Sequence, residues 1–279
     1  MSVGILPDFI IIGAMKAGTT TLYEYLSRHP QVGMSREKET DYFVAGRGWE
    51  RGLPWYQAQF SPGRRVYGEA SPNYTKSQAF GGVPGRVAGL IPGVKLIFVA
   101  RDPVARAESQ YRHAVLSGEA LPPPSQLIGT HHLQHLIDVS SYAAQIDPWL
   151  ARFAPEQVLF LRFEALIADP APVLTTLAGF LGITDDWPAP GAIAANSSDS
   201  LARLPPWLFA LRKMRAAGWI KQVLSAGMRG RLKAMVQGRT ARTAPDLPVE
   251  VLDHIRAALA EDRARFAVMS GLGFQPPGK

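Results

Sequence analysis

Cysteine is absent from this chain of 279 residues. Its absence excludes disulfide bonds, thiolate metal sites and cysteine nucleophiles at once. Such a composition suits a reducing compartment, so a cytoplasmic location is expected, although exported proteins can also lack cysteine. Hydrophobic residues make up 47% of the chain, which supplies a substantial core and excludes disorder as a description of the whole chain.

Long apolar runs are scarce as well. The run near the N-terminus is about six residues long and has neither a basic leader nor a small-residue cleavage site. It therefore predicts a strand rather than a signal peptide or a transmembrane segment. The net charge is +7 and the pI is near 9.8, which favours anionic ligands. No RNA-binding motif, zinc finger or arginine-rich tail accompanies this charge, so a nucleic-acid partner is not expected.

The most informative stretch is a strand, a glycine-bounded loop and a helix start within residues 7–26. The apolar run Phe9–Ile12 predicts a buried strand, and apolar residues at helical spacing predict a helix that begins at Thr19–Thr21. A loop of this shape points backbone N–H groups and the positive end of the helix dipole at one spot. The stretch therefore predicts a phosphate site.

The loop differs at one decisive position from the triphosphate-binding loop G-x-x-x-x-G-K-[ST]. Gly13–Thr20 has nearly that spacing, but Thr19 follows Gly18, and the only lysine of the loop is Lys16. A triphosphatase without the lysine on its β- and γ-phosphates loses much of its charge stabilisation, so the loop suits a shorter anion. A P-loop nucleotide kinase or triphosphatase stays open as an alternative, as does a non-catalytic nucleotide-binding protein.

A second strand end is predicted at the same edge of the sheet. The apolar strand Lys95–Ala100 ends at Arg101, and a helix is predicted over residues 104–116. Since parallel strands share their carboxyl edge, Arg101 and the phosphate loop are expected to face one ligand with two separated anionic groups. Ser109, on that helix, would join Arg101 on one phosphate. The alternative is a surface ion pair of Arg101 with Asp102 and a helix-face hydroxyl at Ser109.

Strands alternate with helices along the chain, and a third apolar strand is predicted at Gln157–Arg162. This order predicts a single α/β domain over residues 1–279, with a P-loop-like, doubly wound, mostly parallel sheet and helices on both faces. Residues 118–139 and 185–245 are expected to form variable loops or a helical insert around the ligand sites.

Gly13–Thr20 and Arg101–Tyr111 together resemble the sulfotransferases that use 3′-phosphoadenosine 5′-phosphosulfate (PAPS). In that family the loop holds the 5′-phosphosulfate, and the arginine and a serine eight residues later hold the 3′-phosphate. Within the family the chain resembles the branch of heparan-sulfate glucosaminyl sulfotransferases and their bacterial relatives, with matches scattered over roughly residues 7–272. The resemblance implies an α/β sulfotransferase that converts PAPS to 3′-phosphoadenosine 5′-phosphate (PAP) without a metal.

The resemblance also implies a set of functional residues. Those that bind PAPS are Lys16, Ala17, Gly18, Thr19, Thr20, Thr21, Arg101, Ser109 and, from a loop similar to K-G-R-T, Gly238, Arg239 and Thr240. Gln237 replaces the lysine of that loop. Glu39, in a segment similar to the one that carries the branch's catalytic glutamate, is the implied general base. Lys16 would stabilise charge on the leaving phosphate.

The implied acceptor is a hydroxyl, or alternatively an amine, of a carbohydrate, a glycolipid or a small metabolite. Four residues are expected to contact it: Asp41, Glu69, Trp55 and Tyr142. Asp41 stands where the branch often has histidine, and it could instead act as the base or raise the pKa of Glu39. Ala70 stands where the branch's E-K-[ST]-P segment has lysine, so heparan-like acceptors are not implied.

A histidine cluster is the remaining candidate for a ligand site. His131 and His135 would share one helix face at i,i+4 and could bind a metal there. Because no third ligand is evident in the sequence, a variable loop that contacts the acceptor is favoured and no metal is expected. A homodimer is left open.

Overall fold

The computed structural model describes residues 4–187 and 243–274 of the chain. Its strands form one sheet in the order β2–β3–β1–β4–β5, and all neighbouring strands in it are parallel. The strands are β1 (Phe9–Gly13), β2 (Val32–Met34), β3 (Val66–Ala70), β4 (Lys95–Ala100) and β5 (Val158–Arg162). The expected α/β fold with a mostly parallel sheet is confirmed.

Helices cover both faces of this sheet. Within the described ranges they are α1 (Thr19–Arg28), α2 (Leu53–Gln57), α3 (Val83–Leu90), α4 (Pro103–Leu116), α5 (His131–Asp138), α6 (Tyr142–Leu150), α7 (Phe163–Ala168), α8 (Pro170–Leu181) and α9 (Val249–Ser270). One hydrophobic core joins α1, α7 and α8 to one face, and a second joins α3, α6 and α9 to the other. The doubly wound arrangement is therefore also confirmed.

The central strands are apolar because both of their faces are covered. All five residues of β1 are buried, and successive side chains enter opposite cores: Phe9 and Ile11 one, Ile10 and Ile12 the other. β4 follows the same rule from Leu96 to Ala100. A continuous apolar run, rather than an alternating one, is the pattern that such burial requires.

The two predicted strand ends lie side by side in the sheet. They mark the point from which the chain adds strands first on one side and then on the other. β1 lies between β3 and β4, and the chain fills the β2–β3 side first and the β4–β5 side afterwards. In open parallel sheets, ligands bind outside the carboxyl ends of the strands at such a switch point. The loop after Gly13 and the loop after Ala100 lie side by side there.

The segment 118–139 is partly helical, so the loop favoured for its histidines is wrong. It contains a short 3₁₀ helix at Pro124–Gln126 and the helix α5. The Thr130 hydroxyl caps α5 by accepting a hydrogen bond from the backbone N–H of Leu133 at 3.3 Å. Leu133, Leu136 and Ile137 are buried on one side of it. Most of the second expected insert, residues 188–242, lies outside the described residues.

The C-terminal helix α9 ties the helices beside the switch point together. It packs in a third core against α4 and α5, and its Asp262 carboxylate accepts hydrogen bonds from the first N–H groups of α6, on Ala143 and Ala144, at 3.0 and 2.9 Å. In the described part of the chain, no helix is long and apolar enough to cross a membrane.

Candidate active site

The loop between β1 and α1 is shaped by two glycines that have no room for a side chain. A Cβ on Gly13 would lie 2.6 Å from the Thr75 hydroxyl oxygen, and a Cβ on Gly18 would lie 2.6 Å from the ring of Phe163. Gly18 also has φ +86, in the left-handed region that glycine adopts freely. It precedes α1 directly, and no side chain caps that helix. The N–H groups of its first turn therefore point at the loop and suit an anion.

Arg101 follows β4 at the neighbouring strand end, as predicted. Its guanidinium lies over the ring of Phe163, 5.0 Å from the centroid. Asp102 does not pair with it; the Asp102 carboxylate caps α4 instead, accepting from the N–H of Ala105 at 2.9 Å. The alternative of a surface ion pair between Arg101 and Asp102 is therefore not found. Ser109 is half-buried on α4, nearly two turns into the helix.

Phe163 joins the two predicted phosphate sites, and the sequence reasoning missed it. Its ring is the group that a Cβ on Gly18 would meet first, and the Arg101 guanidinium lies over the same ring. Phe163 directly follows β5, which pairs with β4. A signal was present, since the residue stands at the carboxyl end of the third predicted strand, on the same edge as the other two.

Arg106 is a second functional residue that the sequence reasoning did not single out. Its side chain is wholly buried, and burial lowers its pKa to about 10. The guanidinium donates to Gln110 Oε1 at 2.6 Å, Ser140 Oγ at 2.9 Å and the Leu136 carbonyl at 3.0 Å. It also reaches the carbonyl of Met15 in the loop, at 3.5 Å. Arg106 therefore fixes the loop against α4 and the end of α5.

Lys16 is placed in the loop as a half-buried cation, with its backbone in the left-handed region at φ +68. Burial lowers the pKa of Lys16 to about 8; the Glu39 carboxylate opposes this shift, and the positive charges of Lys38, Lys76 and Arg106 add to it. Within the described ranges its ammonium makes no hydrogen bond and no ion pair. A partly desolvated ammonium without a partner is suited to an anionic ligand.

The pKa of Lys16 predicts how PAP binding depends on pH. Its ammonium is charged below about pH 8 and neutral above it, so the affinity for PAP is expected to fall at higher pH, by up to about tenfold per pH unit. Calorimetric titrations at about pH 7 and about pH 9 measure the change. The Lys16→Arg variant stays charged over this range and should show a flatter profile. Equal wild-type affinity at both pH values would contradict the prediction.

Glu39 lies on the segment between β2 and the aromatic residues Tyr42 and Phe43. Its side chain is 48% exposed, and its carboxylate oxygen Oε1 lies 2.9 Å from the Lys38 ammonium. The backbone is held near β3, because the N–H of Ala70 donates to the carbonyl of Lys38 at 3.3 Å. The structure thus brings Glu39 within electrostatic reach of Lys16 while leaving its carboxylate open to solvent.

Asp41 is fixed more tightly than Glu39. Its carboxylate accepts from Arg47 Nη1 at 2.9 Å and from the amide of Asn73 at 2.8 and 3.1 Å. Its backbone N–H donates to the hydroxyl of Ser71 at 3.1 Å. These contacts occupy both carboxylate oxygens, so Asp41 is a poorer candidate for a general base than Glu39.

The expectation that Glu69 contacts the acceptor is corrected by its burial. Its side chain has no exposed surface, and its carboxylate accepts hydrogen bonds from Tyr56 at 2.7 Å, from Tyr74 and Ser71 at 2.9 Å each, and from the Thr40 hydroxyl. β3 is an inner strand whose last residues are covered on both faces. Glu69 therefore supports the Glu39–Asp41 segment from beneath through Thr40 and Ser71.

Tyr142 needs the same correction, and Trp55 is only partly accessible. Tyr142 is 1% exposed and donates its hydroxyl hydrogen to the carbonyl of Arg101 at 3.0 Å. It supports the Arg101 loop from inside and does not face an acceptor. The ring of Trp55 is partly buried, and the Arg51 guanidinium lies 3.4 Å from its centroid. Its predicted acceptor contact stays a prediction.

Two further sequence expectations concern the nucleotide loop and the histidines. Gly238, Arg239 and Thr240 lie outside the described residues. His131 and His135 do lie one helical turn apart on α5. Among the residues that the structure describes, however, no group of three histidine, aspartate or glutamate side chains is arranged to hold a metal ion.

Comparisons with known proteins agree with this geometry. A sequence profile of the sulfotransferase domain matches residues 6–196. Heparan sulfate glucosamine 3-O-sulfotransferase 3B1 of Mus musculus is 35% identical over 189 residues, covering 64% of this chain and 46% of that protein. Bifunctional heparan sulfate N-deacetylase/N-sulfotransferase 4 of Mus musculus is 30% identical over 203 residues, covering 64% and 22%. The chain thus matches less than half the length of these relatives.

The fold is shared with a solved bacterial protein. The crystal structure of a sulfotransferase from Alicyclobacillus acidocaldarius matches with a TM-score of 0.64 at 24% identity, over 97% of this chain and 98% of that one. At this identity the match shows the fold, whereas the sequence profile covers well over half of the chain. Because the sulfotransferase domain profile matches more than half of the residues, the chain belongs to the sulfotransferase family.

Proposed function

We propose that the protein transfers a sulfuryl group from PAPS to a hydroxyl, or alternatively an amine, of a carbohydrate, a glycolipid or a small metabolite. One observation carries the proposal: the phosphate loop and Arg101 occupy adjacent carboxyl ends at the switch point, with the ring of Phe163 between them. A nucleotide with one phosphate at the 5′ position and another at the 3′ position fits two such separated sites. A triphosphate would place its charges on the loop alone.

PAPS would be held by the loop and the start of α4. The N–H groups and hydroxyls of Thr19–Thr21 would bind the 5′-phosphate, with Ala17 and Gly18 providing the close backbone approach. Arg101 and Ser109 would bind the 3′-phosphate. Gly238, Arg239 and Thr240, which the family resemblance assigns to nucleotide binding, lie outside the described residues.

The transfer would proceed in line. The acceptor oxygen forms a new O–S bond as the bond from sulfur to the bridging phosphate oxygen breaks, and PAP leaves with the bonding electrons. Glu39 takes the acceptor proton, which keeps the nucleophile from becoming cationic. The Lys16 ammonium stabilises the charge that develops on the leaving phosphate. The loop and Lys16 supply the positive charge for this step, so the proposed reaction uses no metal.

The relatives suggest the acceptor class. Two of those named above are heparan sulfate sulfotransferases, which favours a carbohydrate acceptor for this chain. Ala70 departs from the lysine expected in that branch. A cytoplasmic location and a homodimer stay predictions.

The proposal is tested by calorimetric titration with PAP and, separately, with ATP and magnesium. Wild-type protein is expected to bind PAP at micromolar concentration and to prefer it over ATP. Arg101→Ala should weaken PAP binding by about 1.5–3 kcal/mol, the range for hydrogen bonds to a charged group. Arg152→Ala is the matched control, since Arg152 precedes β5 and so lies at the opposite edge of the sheet.

Three outcomes separate the competing functions. PAP binding that is lost in Arg101→Ala and kept in Arg152→Ala supports the two-phosphate site. Preference for ATP with magnesium would favour a nucleotide kinase or triphosphatase. PAP binding with no transfer to any acceptor would favour a non-catalytic nucleotide-binding protein.

A further inference from the structure

The ammonium of Lys76 is a charged group at the active site that the proposed chemistry does not use. Lys76 directly follows the 3₁₀ helix Pro72–Thr75, which comes after β3. On one side of this helix, the Thr75 hydroxyl packs against the end of β1 at Gly13. On the other side, the Asn73 amide holds the Asp41 carboxylate. Lys76 therefore lies between the phosphate loop and the segment that carries Glu39.

Hydrogen bonds fix the backbone at Lys76 in a defined turn. The N–H of Lys76 donates to the carbonyl of Asn73 at 3.1 Å. The carbonyl of Lys76 accepts from the N–H of Ala79 at 3.0 Å and from that of Phe80 at 2.8 Å. A side chain on such a turn is held close to one place, which suits a binding role.

Lys76 is half-buried and has no partner of opposite charge in contact. The two carboxylates nearby are taken: Glu39 pairs with Lys38, and Asp41 pairs with Arg47. Across the described ranges, its ammonium makes no hydrogen bond and no ion pair. Burial, together with the charges of Arg106 and Arg47, lowers its pKa to about 8 despite Asp41 and Glu39. An anion at this point would relieve both the desolvation and the repulsion.

The surroundings of Lys76 distinguish it from Lys16. Lys16 belongs to the phosphate loop, and the charges that influence it most are those of Glu39 and Lys38. The charge that influences Lys76 most is that of Arg106, which also acts on Lys16; those of Arg47 and Asp41 follow. The charge of Lys76 also contributes to the lowered pKa of His135 on α5, after burial. Lys76 thus lies within electrostatic reach of Glu39 and of α5.

We propose that Lys76 binds an anionic group of the acceptor, a carboxylate or a sulfate, beside Glu39. The inference builds on the proposed sulfuryl transfer and names the acceptor class: a glycan or metabolite that is already acidic.

The test uses the full chain saturated with PAP, so that binding of the acceptor is measured separately from binding of PAP. Two probes are titrated: a tetrasaccharide of alternating glucuronic acid and N-sulfoglucosamine, and an uncharged tetrasaccharide of N-acetylglucosamine. The variants are Lys76→Met, which keeps the length of the stem, and Lys76→Arg, which keeps the charge. We expect Lys76→Met to weaken binding of the acidic probe at least about tenfold, the order of one charge-assisted hydrogen bond. Lys76→Arg should retain most of the affinity.

Each outcome bears on one proposal only. Unchanged binding of the acidic probe by Lys76→Met, or no binding of it by wild type loaded with PAP, would overturn the role of Lys76. Equal loss for both probes would also overturn it, because a fold defect does not distinguish charge. A matching loss of PAP affinity in Lys76→Met would assign the residue to PAPS instead. Failure of wild type to bind PAP would reject the proposed function itself, before any acceptor is tested.

Discussion

Replacing Glu39 by glutamine is expected to reduce sulfuryl transfer by about 10²-fold or more while leaving the affinity for PAP nearly unchanged. Glutamine keeps the size and polarity of the side chain but cannot accept the acceptor's proton. Glu39 is half exposed and its one close partner is the Lys38 ammonium, so the substitution disturbs little of the packing. The loss should therefore appear in kcat rather than in the binding of PAP.

Asp41 provides the matched control, because its carboxylate acts on Lys76 as that of Glu39 does. Its oxygens are held by Arg47 and Asn73, so Asp41→Asn should lower the rate much less than Glu39→Gln. If Asp41→Asn were the more damaging change and Glu39→Gln kept full activity, the base would have to be reassigned to Asp41.

The pH of this experiment matters, because Glu39 also acts on Lys16. Its negative charge raises the pKa of the Lys16 ammonium against the effect of burial. Removing that charge lets the pKa of Lys16 fall below its value of about 8 in the wild type. Rates are therefore compared near pH 6.5–7, on the acid side of that value, where Lys16 keeps its proton in both proteins. Turnover is followed with whichever acceptor the wild type sulfates.

The loop between β1 and α1 could be predicted from the sequence because its determinants are local. A fully buried strand, two glycines and a helix start lie within residues 9–21, and each leaves its own signal in composition or spacing. Arg101 followed in the same way from the end of β4. The parallel sheet then brings the two loops together, so their proximity needed only the class of the fold.

The supporting residues could not be predicted, because their roles depend on the order of the strands. Glu69 stands in a short motif next to a proline and has the appearance of a residue that faces a ligand. Only the position of β3 between β2 and β1 shows that it is buried. Phe163 likewise gains its place from contacts across the sheet edge. The identity of a polar or aromatic residue does not reveal whether its side chain faces solvent.

The helix α5 was missed for a different reason. Its histidines are weak helix formers and follow a proline-rich stretch, so the local signal favours a loop. The helix is stabilised by the Thr130 cap and by burial of its leucines against α4 and α9. The guanidinium of Arg106 binds the carbonyl at its Leu136. Tertiary packing here outweighs intrinsic propensity.

Replacing Glu69 by leucine is expected to lower the free energy of unfolding by about 3 kcal/mol or more, because several hydrogen bonds to one charged group are worth about 1.5–3 kcal/mol each and are lost together. Leucine has a similar volume but accepts no hydrogen bond. The hydroxyls of Tyr56 and Ser71 would then lose their buried acceptor. Unfolding in urea, followed for wild type and variant, measures the change.

Glu69→Gln is the control that separates shape from charge. Glutamine retains hydrogen-bonding capacity at the same place, so its loss of stability should be smaller than that of Glu69→Leu.

Burial raises the pKa of the Glu69 carboxyl, against the hydrogen bonds that lower it. The folded protein therefore holds this proton at pH values where the unfolded chain has released it, and the stability of the wild type should fall as the pH rises through that interval. Glu69→Gln has no titratable carboxyl at this position, so its stability should not show this decrease with rising pH.

The same residue links stability to catalysis through one contact. The Glu69 carboxylate accepts from the hydroxyl of Thr40, which directly follows Glu39. Loss of the carboxylate should therefore loosen the segment that holds the base and reduce turnover, even at temperatures where the variant is folded. If Glu69→Leu unfolded at the same urea concentration as the wild type, the hydroxyls would have found other partners. The buried carboxylate would then not be what holds Glu39 in place.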